Sequence, residues 1–127
     1  MENKIIAGQF NDAFVPIMDG VTNVVKNYAY WLDKKYGECY VATPAYPGYV
    51  DREEFPVLRY YSIPIKNREP YRFGLDLLDI NFRSTIKTIP FDIVHAHCPF
   101  TSGAIAWQLA KKNNIPFVAT FHSKFYD

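Results

Sequence analysis

The sequence is poor in cysteine, in long apolar runs, in charge of one sign and in glycine-rich motifs, and each shortage excludes something. Two cysteines, Cys39 and Cys98, in 127 residues are too few for a disulfide framework. Both sit in apolar runs, so each is expected to be a buried free thiol, which suits a reducing compartment. No run approaches the roughly twenty apolar residues of a membrane span, and the polar start MENK is followed by no apolar secretory segment. The expected location is the cytoplasm. Fourteen Lys+Arg against 13 Asp+Glu leave a net charge of +1, so there is no basic footprint for nucleic acid and no acidic tail. Neither G-x-G-x-x-G nor G-x-x-x-x-G-K-[ST] occurs, which argues against dinucleotide binding and against a P-loop. No repeat, low-complexity tract or composition break divides the chain, so one domain is expected.

What is present is a core. Hydrophobic residues make up 49% and aromatic residues 17% of the sequence, and this length suffices to bury one. Ile5, Ile6 and Ala7 begin a first apolar strand within residues 4–10. From Gly20 the period changes: Val21, Val24, Val25, Tyr28 and Leu32 recur at helical spacing, and Gly37 closes that helix. Residues 39–43 read as a second strand, and the proline-rich stretch 44–56 as a loop. Residues 58–63 read as a third strand and 66–72 as a polar loop. Leu75, Leu78, Phe82, Ile86 and Ile89 mark a second helix stopped before Pro90. A fourth strand over 92–96, a helix from about 102 to 112 and a fifth strand over 116–121 complete the pattern. Continuous apolar strands alternating with helices predict an α/β, Rossmann-like, mainly parallel doubly wound sheet of order 3-2-1-4-5.

In such a sheet the loops after strands one, four and five leave from one edge, where open α/β sheets form their crevice. Neighbouring strands lie ~4.8 Å apart, so strand five is roughly 10 Å from strand one and His122 can share a cleft with Asp12 and the Gly20 loop. Asp19-Gly20 stands at a helix start, where free N–H groups and the positive end of the helix dipole suit a phosphate and glycine admits a close approach. The same two residues can instead be a helix cap and a turn. His122, after the apolar PFVATF, can polarise a ligand oxygen or simply bond a nearby carbonyl. His95 and His97 are expected to face opposite sides of strand four, with His95 structural and His97 nearer the cleft. A zinc site from His95, His97 and Cys98 is not expected, because no second ligand pair stands at metal spacing. Lys66, Arg68 and Arg72, interleaved with Tyr71 and Phe73, can touch anionic lipid or phosphate, or form a solvated loop.

Three segments carry a family likeness. GQFNDAFVPIMDGVTNVV (8–25) resembles the strand, proline-containing loop and glycine turn that open family-4 glycosyltransferases. FDIVHAHCPF (91–100) and PFVATFH (116–122) are similar to two further segments of that family, in the same order. The nearest likeness is to bacterial enzymes that transfer glucose or mannose to a lipid such as diacylglycerol or phosphatidylinositol. The resemblance implies the N-terminal, acceptor-side half of a GT-B fold in a retaining, metal-independent enzyme that needs no cofactor. Its partners would be a nucleotide-sugar donor (a UDP- or GDP-sugar) and a sugar or lipid acceptor, with peripheral contact to the inner face of the membrane. By the same resemblance Asp19, Gly20 and Val21 would meet the donor diphosphate and sugar, and His122 would stabilise charge at the leaving phosphate. Asp12 and His97 would line the acceptor side. Cys98 departs from the family's usual serine or glutamate, and Asp19 from its second glycine or asparagine.

Five strands with three helices leave sheet surface uncovered, so an incomplete domain that forms a homodimer through exposed apolar surface, and is inactive alone, is expected. The competing reading is a stand-alone flavodoxin-like module that binds a phosphorylated small molecule.

Overall fold

The computed structural model describes residues 4–120. Phe121 and His122, the expected end of the last strand and the expected catalytic histidine, lie outside the described residues. Among the described residues ten helices and strands follow in order: β1 (Ile5–Phe10), α1 (Gly20–Lys35), β2 (Gly37–Pro44), β3 (Val57–Tyr60), β4 (Ser62–Pro64), β5 (Arg72–Gly74), α2 (Ile80–Thr88), β6 (Ile93–Ala96), α3 (Thr101–Asn113) and β7 (Phe117–Ala119). A single 3₁₀ turn, Asp76–Leu78, precedes α2.

The principal sheet runs β3-β2-β1-β6-β7, parallel at every pairing. This is the expected 3-2-1-4-5 order. Its two faces carry separate cores. Ala7, Cys39 and Val41 point to α1, where Val25 and Ala29 are fully buried with Phe14 and Phe55. Phe10, Ala42, Val94 and Ala96 point the other way, onto Phe82 and Ile86 of α2 and Ile105, Ala106 and Leu109 of α3. Strand residues alternate between these cores, so β1 is apolar on both sides. α1 thus covers that face alone: among the described residues it reaches β6, where Ile93 packs on its core, but leaves Val118 of β7 exposed on the same side. Tyr28, expected within the buried stripe of α1, lies instead on its exposed flank against the rings of His95 and His97.

Two segments depart from expectation. The apolar stretch 58–63 is two strands, broken at Tyr61. β3 pairs with β2, whereas β4 turns out of the sheet and pairs antiparallel with β5 in a hairpin. Residues 66–72 are therefore the hairpin's tip and the start of its second strand. The second helix begins at Ile80, not near Leu75, because Leu75 still bonds Tyr61 through the backbone and Asp79 caps α2 by accepting from Phe82 N–H at 2.9 Å. Leu77 and Leu78 are consequently 71% and 68% exposed.

Candidate functional site

A cleft of about 460 Å³ opens at the carboxyl edge of the sheet, beside the point between β1 and β6 where the strand order reverses. The loop after β1 supplies Asn11, Asp12 and Ala13; the start of α1 supplies Asp19 and Val21; the loop after β6 supplies His97, Cys98 and Phe100. The far wall is the β4–β5 hairpin, through Ile65, Tyr71, Arg72 and Phe73. Apolar walls with a few fixed polar groups are the ordinary composition of a small-molecule site.

Each carboxylate in the cleft has a defined task. Asp12 reaches across the sheet edge: Oδ1 accepts from Ser102 N–H at 2.9 Å and Oδ2 accepts from the Cys98 thiol at 2.8 Å. Phe100 precedes α3 without a capping side chain, so Asp12 is the cap of that helix, supplied by a distant loop. Burial, with the hydrogen bond to Asp12 and its charge, pushes the Cys98 thiol up to about 12. It stays protonated and donates, and it is no nucleophile at neutral pH. Both cysteines are free, as expected, with Cys39 buried and Cys98 half-buried.

Asp19 caps α1, with Oδ1 accepting from Thr22 N–H at 2.8 Å. Its other oxygen accepts from the Tyr71 hydroxyl at 2.6 Å, so the tip of the hairpin is latched to the start of α1. Burial alone would raise this carboxyl, but the bonds from Tyr71 and Thr22 outweigh it and leave Asp19 below its ordinary value. The bond to Asp19, then burial, raises the Tyr71 phenol. A depressed carboxyl stabilises the fold above its unfolded pKa, so the latch weakens as pH falls below about 4.

Gly20 is not a wall of the cleft. Nothing lies within 4 Å of the place a Cβ would take there, so packing does not require a glycine at the first position of α1. Arg59, which sequence reasoning passed over, fixes the loop between Asn11 and Asp19. Its guanidinium is paired with Asp51 at 2.8 Å and also donates to the carbonyls of Pro44 and Val15.

The two strand histidines do not face opposite sides. Residues two apart in a strand share a face, and the His95 and His97 rings lie 4.0 Å apart. His97 is 4% exposed, with Nε2 at 2.6 Å from Gln9 Oε1, and it does reach the cleft. His95 Nε2 lies 2.7 Å from Thr120 Oγ1. Among the described residues, no group of three or more His, Cys, Asp or Glu side chains could hold a metal ion.

A parallel Rossmann-like sheet with its cleft at the switch point defines a class: α/β proteins that bind small molecules through loops at the carboxyl ends of their strands. Within it, residues 18–127 match the model of Glycosyltransferase Family 4, and the chain belongs to that family. It is similar to the alpha-monoglucosyldiacylglycerol synthase of Acholeplasma laidlawii, 31% identical over 121 residues, a match covering 94% of this chain and 30% of that protein. A protein of the same name from Streptococcus pneumoniae is 24% identical over 124 residues, covering 94% of this chain and 27% of that protein. The chain thus spans under a third of the length of the relatives it matches.

Proposed function

We propose that this chain is the acceptor-side, N-terminal domain of a retaining glycosyltransferase that moves a hexose from a UDP- or GDP-sugar to a lipid, with diacylglycerol as the acceptor. The observation that carries this reading is the cleft, where apolar walls from Ile65, Phe73 and Phe100 surround Asp12 and His97. A lipid glycerol needs such a mixture: hydroxyls to be oriented by polar groups, and hydrocarbon to be kept from water. In this reading Asp12 and His97 meet the acceptor. Gly20 and Val21 meet the donor diphosphate and sugar at a turn that Asp19 holds as the helix cap, and His122 supports the leaving phosphate without a metal. The open space at Gly20 supports the donor role, because neither packing nor a left-handed backbone asks for glycine there.

The test is sugar transfer by the full-length protein from UDP-glucose to dioleoylglycerol in mixed micelles, with the anomeric configuration of the product read by NMR. An α-linked product is expected. No transfer from any UDP- or GDP-hexose would overturn the reading. Gly20→Val is expected to leave the unfolding midpoint nearly unchanged and to reduce transfer by tenfold or more, the loss appearing in the donor KM.

Among the described residues no helix is long and apolar enough to cross a membrane. Leu77, Leu78 and Ile80 are nonetheless 71%, 68% and 77% exposed, beside a hairpin whose tip carries exposed Lys66 and Arg68. The apolar side chains follow the base of the hairpin and the cations stand at its tip; exposed apolar groups suit a bilayer surface, and cations suit an anionic one. The triple substitution Leu77→Ser, Leu78→Ser, Ile80→Ser is expected to lower co-sedimentation with phosphatidylglycerol vesicles about tenfold while leaving transfer to micellar acceptor intact.

A further inference from the structure

The charges of the cleft do not balance in the way its donor-side reading first suggests. The start of α1, the natural place for a phosphate, already carries the Asp19 carboxylate, bound to Thr22 N–H and to Tyr71. Asp12 is likewise occupied by Ser102 N–H and the Cys98 thiol. Both negative groups are therefore spent on protein partners. The cleft's cation is different. Arg72 lines it from the hairpin wall, is half-buried, and forms no ion pair among the described residues. It is not a loose surface side chain. Its Nε donates to Ser62 Oγ at 2.8 Å and its Nη2 donates to Ser62 O at 3.0 Å. Ser62 is 5% exposed and its hydroxyl donates a hydrogen bond to Ala45 O at 2.7 Å. A buried serine at the base of the hairpin thus grips one edge of the guanidinium, and Nη1 makes no hydrogen bond among the described residues. A guanidinium held by neutral partners keeps its full charge and has little rotamer freedom left to lose on binding.

We infer that Arg72 is the anion-binding group of this cleft and takes a phosphate oxygen of the ligand, opposite the carboxylate-capped start of α1. The inference rests on the reading of the cleft as the substrate site and adds a residue to it. It also separates Arg72 from Lys66 and Arg68, which are exposed at the hairpin tip. Phosphate reaches such a cleft from two sources, the diphosphate of a nucleotide sugar or the head group of an anionic lipid. The chemistry at Arg72 is the same for both: charge-assisted N–H···O bonds in a surrounding of low dielectric.

The experiment is calorimetric titration of the full-length protein and its Arg72→Gln variant with two probes, UDP and phosphatidic acid in neutral detergent micelles. Arg72→Gln is expected to weaken one probe by about tenfold to a hundredfold, the range for a lost hydrogen bond to a charged group. The probe affected identifies the phosphate's source. Arg72→Lys, which keeps the charge without the fork, should lie between variant and wild type, a graded rescue that a purely structural role would not produce. Ser62→Ala should weaken the same probe by a smaller factor through loss of the grip on Nε. Unchanged affinity of Arg72→Gln for both probes overturns the inference. If Arg72→Gln does not fold, undiminished affinity of Arg72→Lys and Ser62→Ala overturns it instead. Transfer activity separates the two claims: Arg72-dependent probe binding without any sugar transfer removes the proposed function alone, and transfer with Arg72-independent binding removes this inference alone.

Discussion

Asp12→Ala is expected to destabilise the domain by about 2 kcal/mol and to take most of the transfer activity with it. The carboxylate is a helix cap, whose loss alone costs about 1 kcal/mol, and it also accepts from the Cys98 thiol beside the cleft. Removing it leaves Ser102 N–H without its acceptor in a helix whose first turn is buried through Ser102 and Gly103. Local repacking cannot easily close the gap, because a Cβ on Gly103 would come within 2.3 Å of Cys98 O, so the loop after β6 already lies hard against α3. Asp12→Asn should recover a large part of the stability, since an amide oxygen can still accept from Ser102. Chemical denaturation of the three proteins checks the order wild type, Asn, Ala. An alanine variant as stable as wild type would mean that α3 does not depend on this cap.

The second large effect concerns a residue known only by its place in the sequence. His122→Ala in the full-length protein is expected to lower kcat for sugar transfer by about 100-fold to 1000-fold, the range seen when one preorganised donor to developing negative charge is lost. The donor KM should change far less, because in the proposed role the contribution is made only as the glycosidic bond breaks. His122→Gln, which retains a donor, should fall less. Steady-state kinetics with the donor varied at saturating acceptor decides it, and a His122→Ala variant with wild-type kcat would remove the histidine from the proposed mechanism.

Much of this architecture was legible in the residues, for identifiable reasons. The central strands β1 and β2 are largely buried on both faces, so apolar runs such as 39–43 marked them directly, the run at 92–96 marked β6 beside them, and handedness limited their order. Asp19 before Gly20 announced the start of α1 through capping chemistry, and Asp19 does cap it. What escaped was whatever depends on partners remote in sequence. The break at Tyr61 has no local breaker. It arises because residues 62–64 find residues 72–74 as partners, and that pairing turned an apparent loop into a wall of the cleft. Leu75 and Leu78 fitted the period of α2 but precede its Asp79 cap, which also accepts from Tyr61 N–H at 2.9 Å and so ties the helix start to the hairpin. The histidine pair was a matter of strand geometry: 95 and 97 are two apart, and their shared face was present in the spacing itself. Arg72 stood among three basic residues with nothing to separate it from the other two, since Ser62, the residue that grips it, belongs to the hairpin's other strand.

The cap of α3 also bears on how the molecule assembles. Its carboxylate lies 90 residues upstream of the amide it serves. A cap taken from the residue just before a helix is available as soon as the first turn forms, but this one exists only after β1 and β6 have come together. The entropy of closing so long a loop must be met before the bond returns anything. The first turn of α3 is therefore expected to consolidate late in folding, in the same event that shapes the cleft. Partial opening should reverse that order, so that the binding site is lost early, while the pairing of β1 with β2 and its cover of α1 still stand.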